Sequence, residues 1–427
     1  DRRQRQMCIR DREKPYNDND VWKIGFKFKD KTKMRDDIWY EYDNDLSNMD
    51  GVSYFDASIP DYLAGDIYQS GYFVTANTLG LLSLSGPEDP NFDSYVMDEF
   101  AGGNYDAEEQ IAAFYAMIVD KLGDDVTLIA GARFESTSIN YTGQVFDEEE
   151  DELPSDIGSV SGGNDYYNIL PNLTLQWDVN DELNFNFAFT QSIARPSYYD
   201  LVPYEYSNSD DQELALGNPD LKASLSTNFD IMGEWYFGGL SLLSFGYFSK
   251  DIKDWIYQYT TNNYTYAGVN GYELSQLRNG EKASVSGFEL GFQTKFLKNF
   301  TFMGNYTSTD SSTNNVEGRD DVPLTGQVDD MYNLSLAFEN SKFFVRASMN
   351  YASEALDELS GDAYEDRYYD EQTFVDVNAN YKVNDKLSIF AEGKNLTNQP
   401  LRYYQGTQQR TMQIEYYNLS WTLGLKY

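Results

Sequence analysis

Apolar and polar side chains alternate with a period of two along most of this chain. In residues 417–427, aromatic and aliphatic side chains hold the odd positions, and small or polar ones hold the even positions. Such alternation predicts a β-strand with one apolar and one polar face. Because the mean hydropathy of the chain is only −0.60, we expect the apolar faces of these strands to contact lipid rather than an ordinary protein core.

Pairs of alternating segments are separated by short polar turns, which predicts a series of hairpins from about residue 110 onward. In the first clear example, Leu173, Leu175 and Trp177 precede a turn at 179–182, and the alternation resumes at Leu183. Further segments of this form lie at 227–237, 288–296, 332–339 and 343–351, with turns at 238–239, 298–299 and 340–341. The polar side chains of all these strands are predicted to line one interior.

Longer connections rich in Asn, Asp, Gly, Ser and Tyr separate the hairpins. They are predicted at about 140–164, 193–223, 261–282, 308–328, 353–372 and 397–411. Short turns on one rim and long loops on the other are typical of bacterial outer-membrane barrels. The sequence therefore predicts an all-β fold, an antiparallel transmembrane β-barrel domain over 13–427 with about 14 to 16 strands.

Composition supports crossing of the membrane by strands. The longest apolar or aromatic run, 111–119, is far shorter than the roughly 20 residues of a transmembrane helix. Aromatic residues make up 16% of the chain, which is more than expected of a soluble domain. Aromatic girdles at the two membrane interfaces would account for this excess. A Tyr-rich soluble β protein is the alternative.

The charge of the chain excludes some partners. Its net charge of −38 argues against nucleic acid or an anionic lipid surface. The acidic run at 147–152 is interpreted as a solvated loop, or as a place where divalent ions bridge to lipopolysaccharide.

Missing residue types exclude most chemistry. With no His and a single Cys, the chain has no disulfide framework, no usual zinc site and no His-dependent triad. We therefore predict no catalytic residue, no metal site, no cofactor and no enzymatic activity.

The beginning of the chain lacks the signal peptide that an exported barrel needs. Residues 7–12 resemble the translation of a sequencing-library adapter, so residues 1–12 are interpreted as foreign to the gene, with Cys8 an artefact. An authentic basic segment is the alternative.

Several stretches resemble TonB-dependent outer-membrane receptors, in particular those of Bacteroidetes and of Xanthomonas and Caulobacter relatives. The resemblance spans residues 22–427 and is carried by these segments in order: 27–36, 190–204, 216–222, 365–370, 395–406 and the aromatic terminus. It implies a signal peptide, a segment that contacts TonB, a plug domain and a 22-stranded barrel in the intact protein. This chain lacks the first three and is expected to be a partial barrel without a plug.

Tyr-rich segments fall on the predicted long-loop rim. Aromatic side chains there could stack on sugar rings or on a hydrophobic chelate, or could simply pack between loops. The candidate ligand-binding residues are Tyr198, Tyr199, Tyr204, Tyr206, Tyr368, Tyr369, Arg402, Tyr403 and Tyr404. Arg195 and Arg346 are expected on the polar face, where each could meet an anionic ligand or pair with an interior carboxylate.

Three functions remain open at this point, of which a barrel that serves as an adhesin is the last considered. The first is the barrel portion of a transporter that imports a scarce ligand, an oligosaccharide or an iron chelate, with energy passed on by TonB. The second is a passive outer-membrane porin. All three place the chain in the outer membrane of a Gram-negative bacterium, with lipid and lipopolysaccharide as partners.

Overall fold

The architecture is that of a computed structural model, which describes residues 4–15, 20–41, 94–96, 100–145, 154–208, 211–314 and 316–427. The acidic run at 147–152 lies outside these ranges. Helical structure in them includes α1 (Tyr198–Leu201) and a 3-10 turn at Ala101–Gly103. No helix in these ranges has the length and apolarity that crossing a bilayer requires.

The described residues form 25 strands. In chain order they are β1 (Gln4–Pro15), β2 (Val21–Arg35), β3 (Tyr40–Glu41), β4 (Ser94–Tyr95), β5 (Tyr105–Lys121), β6 (Val126–Val145), β7 (Gly158–Asn180), β8 (Leu183–Ala194), β9 (Glu205–Asn208), β10 (Glu213–Leu216), β11 (Ser224–Phe237), β12 (Ser241–Lys253), β13 (Ile256–Tyr266), β14 (Val269–Asn279), β15 (Lys282–Phe296), β16 (Phe300–Asn314), β17 (Asp330–Glu339), β18 (Phe343–Ala352), β19 (Ala355–Ser360), β20 (Arg367–Tyr369), β21 (Gln372–Lys382), β22 (Ser388–Lys394), β23 (Leu401–Gln405), β24 (Thr411–Glu415) and β25 (Ser420–Lys426).

Fifteen of these strands form one sheet, which we call the wall sheet. Its order is β1-β2-β5-β6-β7-β8-β11-β12-β15-β16-β17-β18-β21-β22-β25. All neighbouring strands are antiparallel, and each strand pairs with the next wall strand along the chain. The predicted number of 14 to 16 barrel strands is therefore confirmed for the described residues.

The wall sheet has an apolar face and a polar face, as the alternation predicts. On the apolar face, Phe245, Leu334 and Leu423 are 47%, 40% and 78% exposed. In β18, Met349 pairs with Leu334 of the apolar face, so Arg346, Ser348 and Asn350 lie on the opposite face. In the described part of the chain no second sheet or helical layer covers the apolar rows, so these rows are available to lipid.

Short turns join the wall strands at one rim. Asn180 Oδ1 accepts hydrogen bonds from the backbone N–H groups of Glu182 and Leu183 in the turn between β7 and β8. Gly238 and Gly239 connect β11 to β12 with φ angles of +59° and +88°. Most residues adopt this left-handed backbone only with strain, whereas glycine adopts it freely, so the two glycines allow this tight three-residue turn.

The long connections at the other rim are folded, which corrects the prediction that they are irregular. Eight short strands from these connections form a second sheet, here called the rim sheet, in the order β24-β23-β20-β19-β13-β14-β10-β9. β13 pairs with β19, and β10 with β14, in parallel. These pairings join different connections, so local sequence patterns do not predict them. β6 and β7 also extend into the predicted connection at 140–164.

The rim sheet packs on the polar side of the wall sheet. Trp255, Tyr257, Leu356 and Leu359 form a buried cluster with Ala283 of β15. Ala283 lies at the loop end of β15, opposite Thr313 of β16. The rim sheet therefore folds inward over the mouth of the wall.

β1, the first strand of the wall, contains residues 4–12 and pairs with β2 through Pro15↔Val21 to Gln4↔Lys31 with one irregularity. This backbone pairing does not test whether residues 1–12 belong to the gene, because a foreign segment could pair in the same way. The interpretation of residues 1–12 as foreign stays a prediction.

Candidate functional site

The segment after β8 turns into the mouth of the wall sheet and carries the first group of predicted site residues. β8 ends at Ala194, before Arg195-Pro196, as expected from the missing N–H of proline. Ser197 caps α1, because its hydroxyl accepts from the N–H of Asp200 and the Asp200 carboxylate accepts from the N–H of Ser197. This capping box fixes where α1 begins.

Arg195 anchors that segment to the inner face of β6. Its Nη2 lies 2.6 Å from Oε2 of Glu135 and 2.9 Å from the hydroxyl of Thr137. Glu135 also accepts from Nε of Arg133 at 2.6 Å. The expectation that Arg195 pairs with an interior carboxylate is confirmed. Arg346 differs, because within the described ranges it forms no ion pair and its Nε has no acceptor.

Tyr198, Tyr199 and Tyr204 lie together on this inward segment. The Tyr198 side chain is buried in a cluster with Ala107, Ile139 and Leu201, and burial raises its pKa, so the hydroxyl stays protonated. The rings of Tyr199 and Tyr204 stack with centroids 4.2 Å apart. Tyr198 and Tyr199 pack in this cluster between the loop and the wall, and Tyr204 contacts it through the ring of Tyr199.

A second group of predicted residues lies on β20 and β23 of the rim sheet. Tyr368 stacks on Tyr404 at 5.3 Å, and Tyr369 lies 4.9 Å from Tyr403, both across the antiparallel pair. Tyr404 is 3% exposed, and its hydroxyl donates to Glu354 at 2.6 Å.

Arg402, on β23, completes this second group. Its Nη1 lies 2.8 Å from the Asp370 carboxylate, and its Nη2 donates to the hydroxyl of Thr411. The carboxylate and the hydroxyl hold the guanidinium within the rim sheet.

The remaining candidate, Tyr206, lies apart from the second group. Tyr206 lies on β9 at one edge of the rim sheet, paired with Ala215 of β10. β9 and β20 are five strands apart in the sheet order, which is about 24 Å at the usual strand spacing.

Other predicted motif residues have structural roles. Asn218 starts the turn before β11: its Oδ1 accepts from the N–H of Asp220, and its Nδ2 donates to the carbonyl of Leu277. Asp366 is 1% exposed and receives both Nη atoms of Arg319, at 2.9 and 2.6 Å, together with the N–H of Ser360. The carboxylate raises the pKa of Arg319 further. This bidentate pair joins two loops of the mouth.

A cavity beside α1 contains residues that the sequence did not single out as a site. It has a volume of about 610 Å³ and lies between the inner face of β2 and the segment 195–198. Lys29, Lys31, Lys33 and Arg195 line it, with Glu109 as its one carboxylate. The sequence does contain a pattern that indicates this basic lining, since every second residue from Lys27 to Arg35 is basic.

The described ranges contain no group of three or more Cys, Asp or Glu side chains placed to hold a metal ion.

A wall of antiparallel strands with an apolar outer face, a polar inner face and short turns at one rim is the architecture of an outer-membrane β-barrel. A family model described as TonB dependent receptor-like, beta-barrel, matches residues 9–396. The chain therefore belongs to the β-barrel family of TonB-dependent receptors. This is a family of outer-membrane transport receptors of Gram-negative bacteria, not of enzymes.

Solved structures of similar fold include receptors for different ligands. The ferric-catecholate import receptor Fiu from E. coli K12 has a TM-score of 0.62 at 14% identity, over 98% of this chain and 54% of that one. The copper transporter OprC has 0.59 at 12%, over 96% and 54%. The ferric yersiniabactin uptake receptor FyuA from Yersinia pestis has 0.57 at 12%, over 98% and 53%.

The chain thus spans about half the length of these structures. At such low identities the likeness concerns the fold alone. No curated protein sequence matches this chain.

Proposed function

We propose that this chain is the barrel portion of a transporter that binds a scarce ligand outside the cell and passes it to the periplasm with energy from the inner membrane. The observation that carries the proposal is the family match over residues 9–396. The separation of apolar and polar faces in the wall sheet supports it, because lipid would cover one face while the other lines a passage.

The partners follow from this assignment. Outer-membrane lipid and lipopolysaccharide would contact the apolar rows, and TonB would contact a segment of the intact protein outside this chain. The ligand is an oligosaccharide or an iron chelate. The three similar structures do not distinguish an oligosaccharide from an iron chelate as the ligand, because they share only the fold with this chain. Two of them are named for iron compounds and one for copper.

The Tyr groups support ligand binding unequally. Tyr369 and Tyr403 lie on the rim sheet, where stacking on a ring is compatible with their partial exposure. Tyr198 and Tyr404 are buried and hydrogen-bonded or packed, so we assign them to holding the mouth together. Tyr199, Tyr204, Tyr206, Tyr368 and Arg402 stay candidates for contact with the ligand.

Conductance of the intact gene product in planar bilayers tests the proposal without knowledge of the ligand. A transporter is expected to be closed at rest, whereas a permanently open large channel would make the protein a passive porin. The reading frame upstream of this chain gives a second test. A frame that encodes neither a plug nor a TonB-contacting segment would refute energised import.

A further inference from the structure

We propose that Asn270, near the tip of the β13–β14 hairpin of the rim sheet, is a site of spontaneous deamidation, whereas Asn279 in the same strand is protected. In this reaction the backbone nitrogen of Gly271 attacks the side chain of Asn270, and water is the co-reactant. The reaction does not depend on which ligand the protein transports.

The two asparagines have the same neighbour in the sequence. Asn is followed by Gly at two places, 270–271 and 279–280, and both asparagines lie in β14, one near its start and one at its end. Glycine leaves the backbone nitrogen open to approach, because it has no side chain. Since the following residue is the same in both pairs, the fold decides which asparagine reacts.

The reaction converts an amide to a carboxylate. After hydroxide removes its proton, the Gly271 nitrogen bonds to Cγ of Asn270, and the side-chain nitrogen leaves as ammonia with a proton from water. Water then adds to either carbonyl carbon of the cyclic succinimide and opens the ring, which gives Asp or isoAsp. In sum, one water is consumed, one ammonia is released, and nothing is oxidised or reduced. The product adds a negative charge to the rim sheet.

The hairpin leaves Gly271 outside the regular ladder. Asn270 pairs with Thr265, and the next pair is Tyr264 with Tyr272, so the register skips Gly271. Its φ of +103° also differs from that of strand backbone. A bulged residue is left unpaired in the ladder. Gly271 can therefore rotate toward the Asn270 side chain, as ring closure requires, without breaking the neighbouring pairs.

The surroundings of Asn270 are open to water. Asn270 is an exposed residue. A Cβ added at Gly271 would lie no closer than 3.6 Å to any atom beyond its chain neighbours. Hydroxide and water can therefore reach both of the atoms between which the new bond forms.

The hydroxyl of Thr265 lies where negative charge develops. Its Oγ1 donates to Oδ1 of Asn270 at 2.5 Å across the hairpin. When the nitrogen attacks, Cγ becomes tetrahedral and Oδ1 gains negative charge. A hydrogen bond to Oδ1 is then stronger in the transition state than in the ground state, so Thr265 favours the attack.

Asn279 differs because both of its reacting groups are already bonded. Its Nδ2 donates to the carbonyls of Lys222 and Asp254 at 3.0 and 2.7 Å, and its Oδ1 accepts from the N–H of Lys222 at 2.8 Å. Gly280 is buried, and its N–H donates to the carbonyl of Trp255 at 2.8 Å. These hydrogen bonds must break locally before the ring can close.

Peptide mapping of the intact protein in detergent, after prolonged incubation in mildly alkaline buffer, tests the site. The incubation uses water labelled with heavy oxygen, so that only product formed during the incubation carries the label. Trypsin cleaves after Lys253, Arg278 and Lys282, so the two asparagines are recovered in separate peptides, and fragment spectra locate the label within each.

We expect labelled Asp and isoAsp to form at Asn270 at least about tenfold faster than at Asn279, because several hydrogen bonds protect Asn279. Both rates should rise with pH, since the attacking nitrogen must lose its proton. In guanidinium chloride the two asparagines should react at similar rates, because unfolding removes the protection of Asn279.

Variants of the hairpin test the role of the hydroxyl. Thr265→Val should slow labelling at Asn270 about threefold. Thr265→Ser keeps a hydroxyl at this position and should retain the rate. Valine suits a strand, so the loss of the hydroxyl is separated from loss of the hairpin. Undiminished labelling in Thr265→Val would refute the role of Thr265.

Three results would overturn the site itself. These are equal labelling of Asn270 and Asn279 in the folded protein, labelling of neither, or a difference that persists in guanidinium chloride, which would show that local sequence rather than the fold sets the rates. None of these measurements involves transport, so their failure would leave the proposed import function untouched.

Discussion

The wall sheet and the rim sheet are made of the same residue types but are held together differently. In the wall, each strand pairs with the next wall strand along the chain, and its apolar side chains face outward. In the rim, short strands from separate connections pair with each other, and the apolar side chains of Trp255, Leu356 and Leu359 are buried. The stability of the wall therefore depends on contact with lipid. The stability of the rim depends on a small buried core and on ion pairs.

The largest effect is expected from breaking the ion pair that joins two loops of the rim. Asp366→Ala leaves Arg319 partly buried without its carboxylate and should destabilise the rim by about 3–5 kcal/mol. Urea unfolding followed by the fluorescence of Trp255, which is buried in the rim cluster, measures the loss.

A matched substitution tests whether burial of the ion pair determines how much stability is lost when the pair is broken. Asp385 pairs with Lys382 at 3.0 Å, but its side chain is 97% exposed, so Asp385→Ala should cost less than about 1 kcal/mol. Equal losses in the two variants would contradict the view that ion pairs hold the rim.

The next largest effect concerns the wall and its outer face. Phe292→Lys places a charge on the lipid side of β15, about 13 Å from the short turn, and should cost about 2–4 kcal/mol in a bilayer. Unfolding of the intact protein from lipid vesicles measures this cost.

The adjacent residue is the control for this substitution. Gln293 lies on the opposite face of β15, because adjacent side chains of a strand point to opposite faces, so Gln293→Lys should cost much less. If the two variants were equally stable in vesicles, lipid would not be what covers the outer face.

A smaller effect is expected from a single hydroxyl of the rim. Tyr404→Phe removes the donor to Glu354 while keeping the ring stacked on Tyr368. A hydrogen bond to a charged acceptor contributes about 1.5–3 kcal/mol. In the same unfolding assay Tyr403→Phe serves as the comparison, because Tyr403 has the paired ring position but is more exposed. A larger loss in Tyr403→Phe would contradict the structural role of Tyr404.

The contrast between the sheets also explains what the sequence could predict. Alternation along segments such as 332–339, with a turn at 340–341, is local information, and the predicted hairpin of β17 and β18 is confirmed. The rim strands are three to eleven residues long, and their parallel pairs, such as Leu214 with Leu274, join distant connections. No local pattern indicates such a pairing.

The site divides in the same way. The Tyr clusters were visible in the sequence as composition, but the separation of Tyr206 from the second group across five strands depends on the rim sheet order. The alternating basic residues of β2 were visible as a motif, and only the inward turn of the segment at Arg195 brings them to a cavity. Spacing within one strand is predictable, whereas the approach of two elements is not.

The smallest effect is a dependence of the rim on pH. Burial, followed by the nearby Glu358 and Glu213 carboxylates, raises the pKa of Glu273 on β14. A carboxyl group whose pKa is higher in the folded state binds more protons when folded, so its contribution to stability falls as pH rises from the unfolded to the folded pKa. The rim should therefore become slightly more stable on mild acidification through that window. Glu273→Gln should remove this dependence and stabilise the rim at neutral pH, as measured by Trp255 fluorescence in urea, whereas Glu339→Gln at a short turn of the wall should not. Loss of stability in Glu273→Gln at neutral pH would show that the charge of Glu273 is favourable in the folded rim.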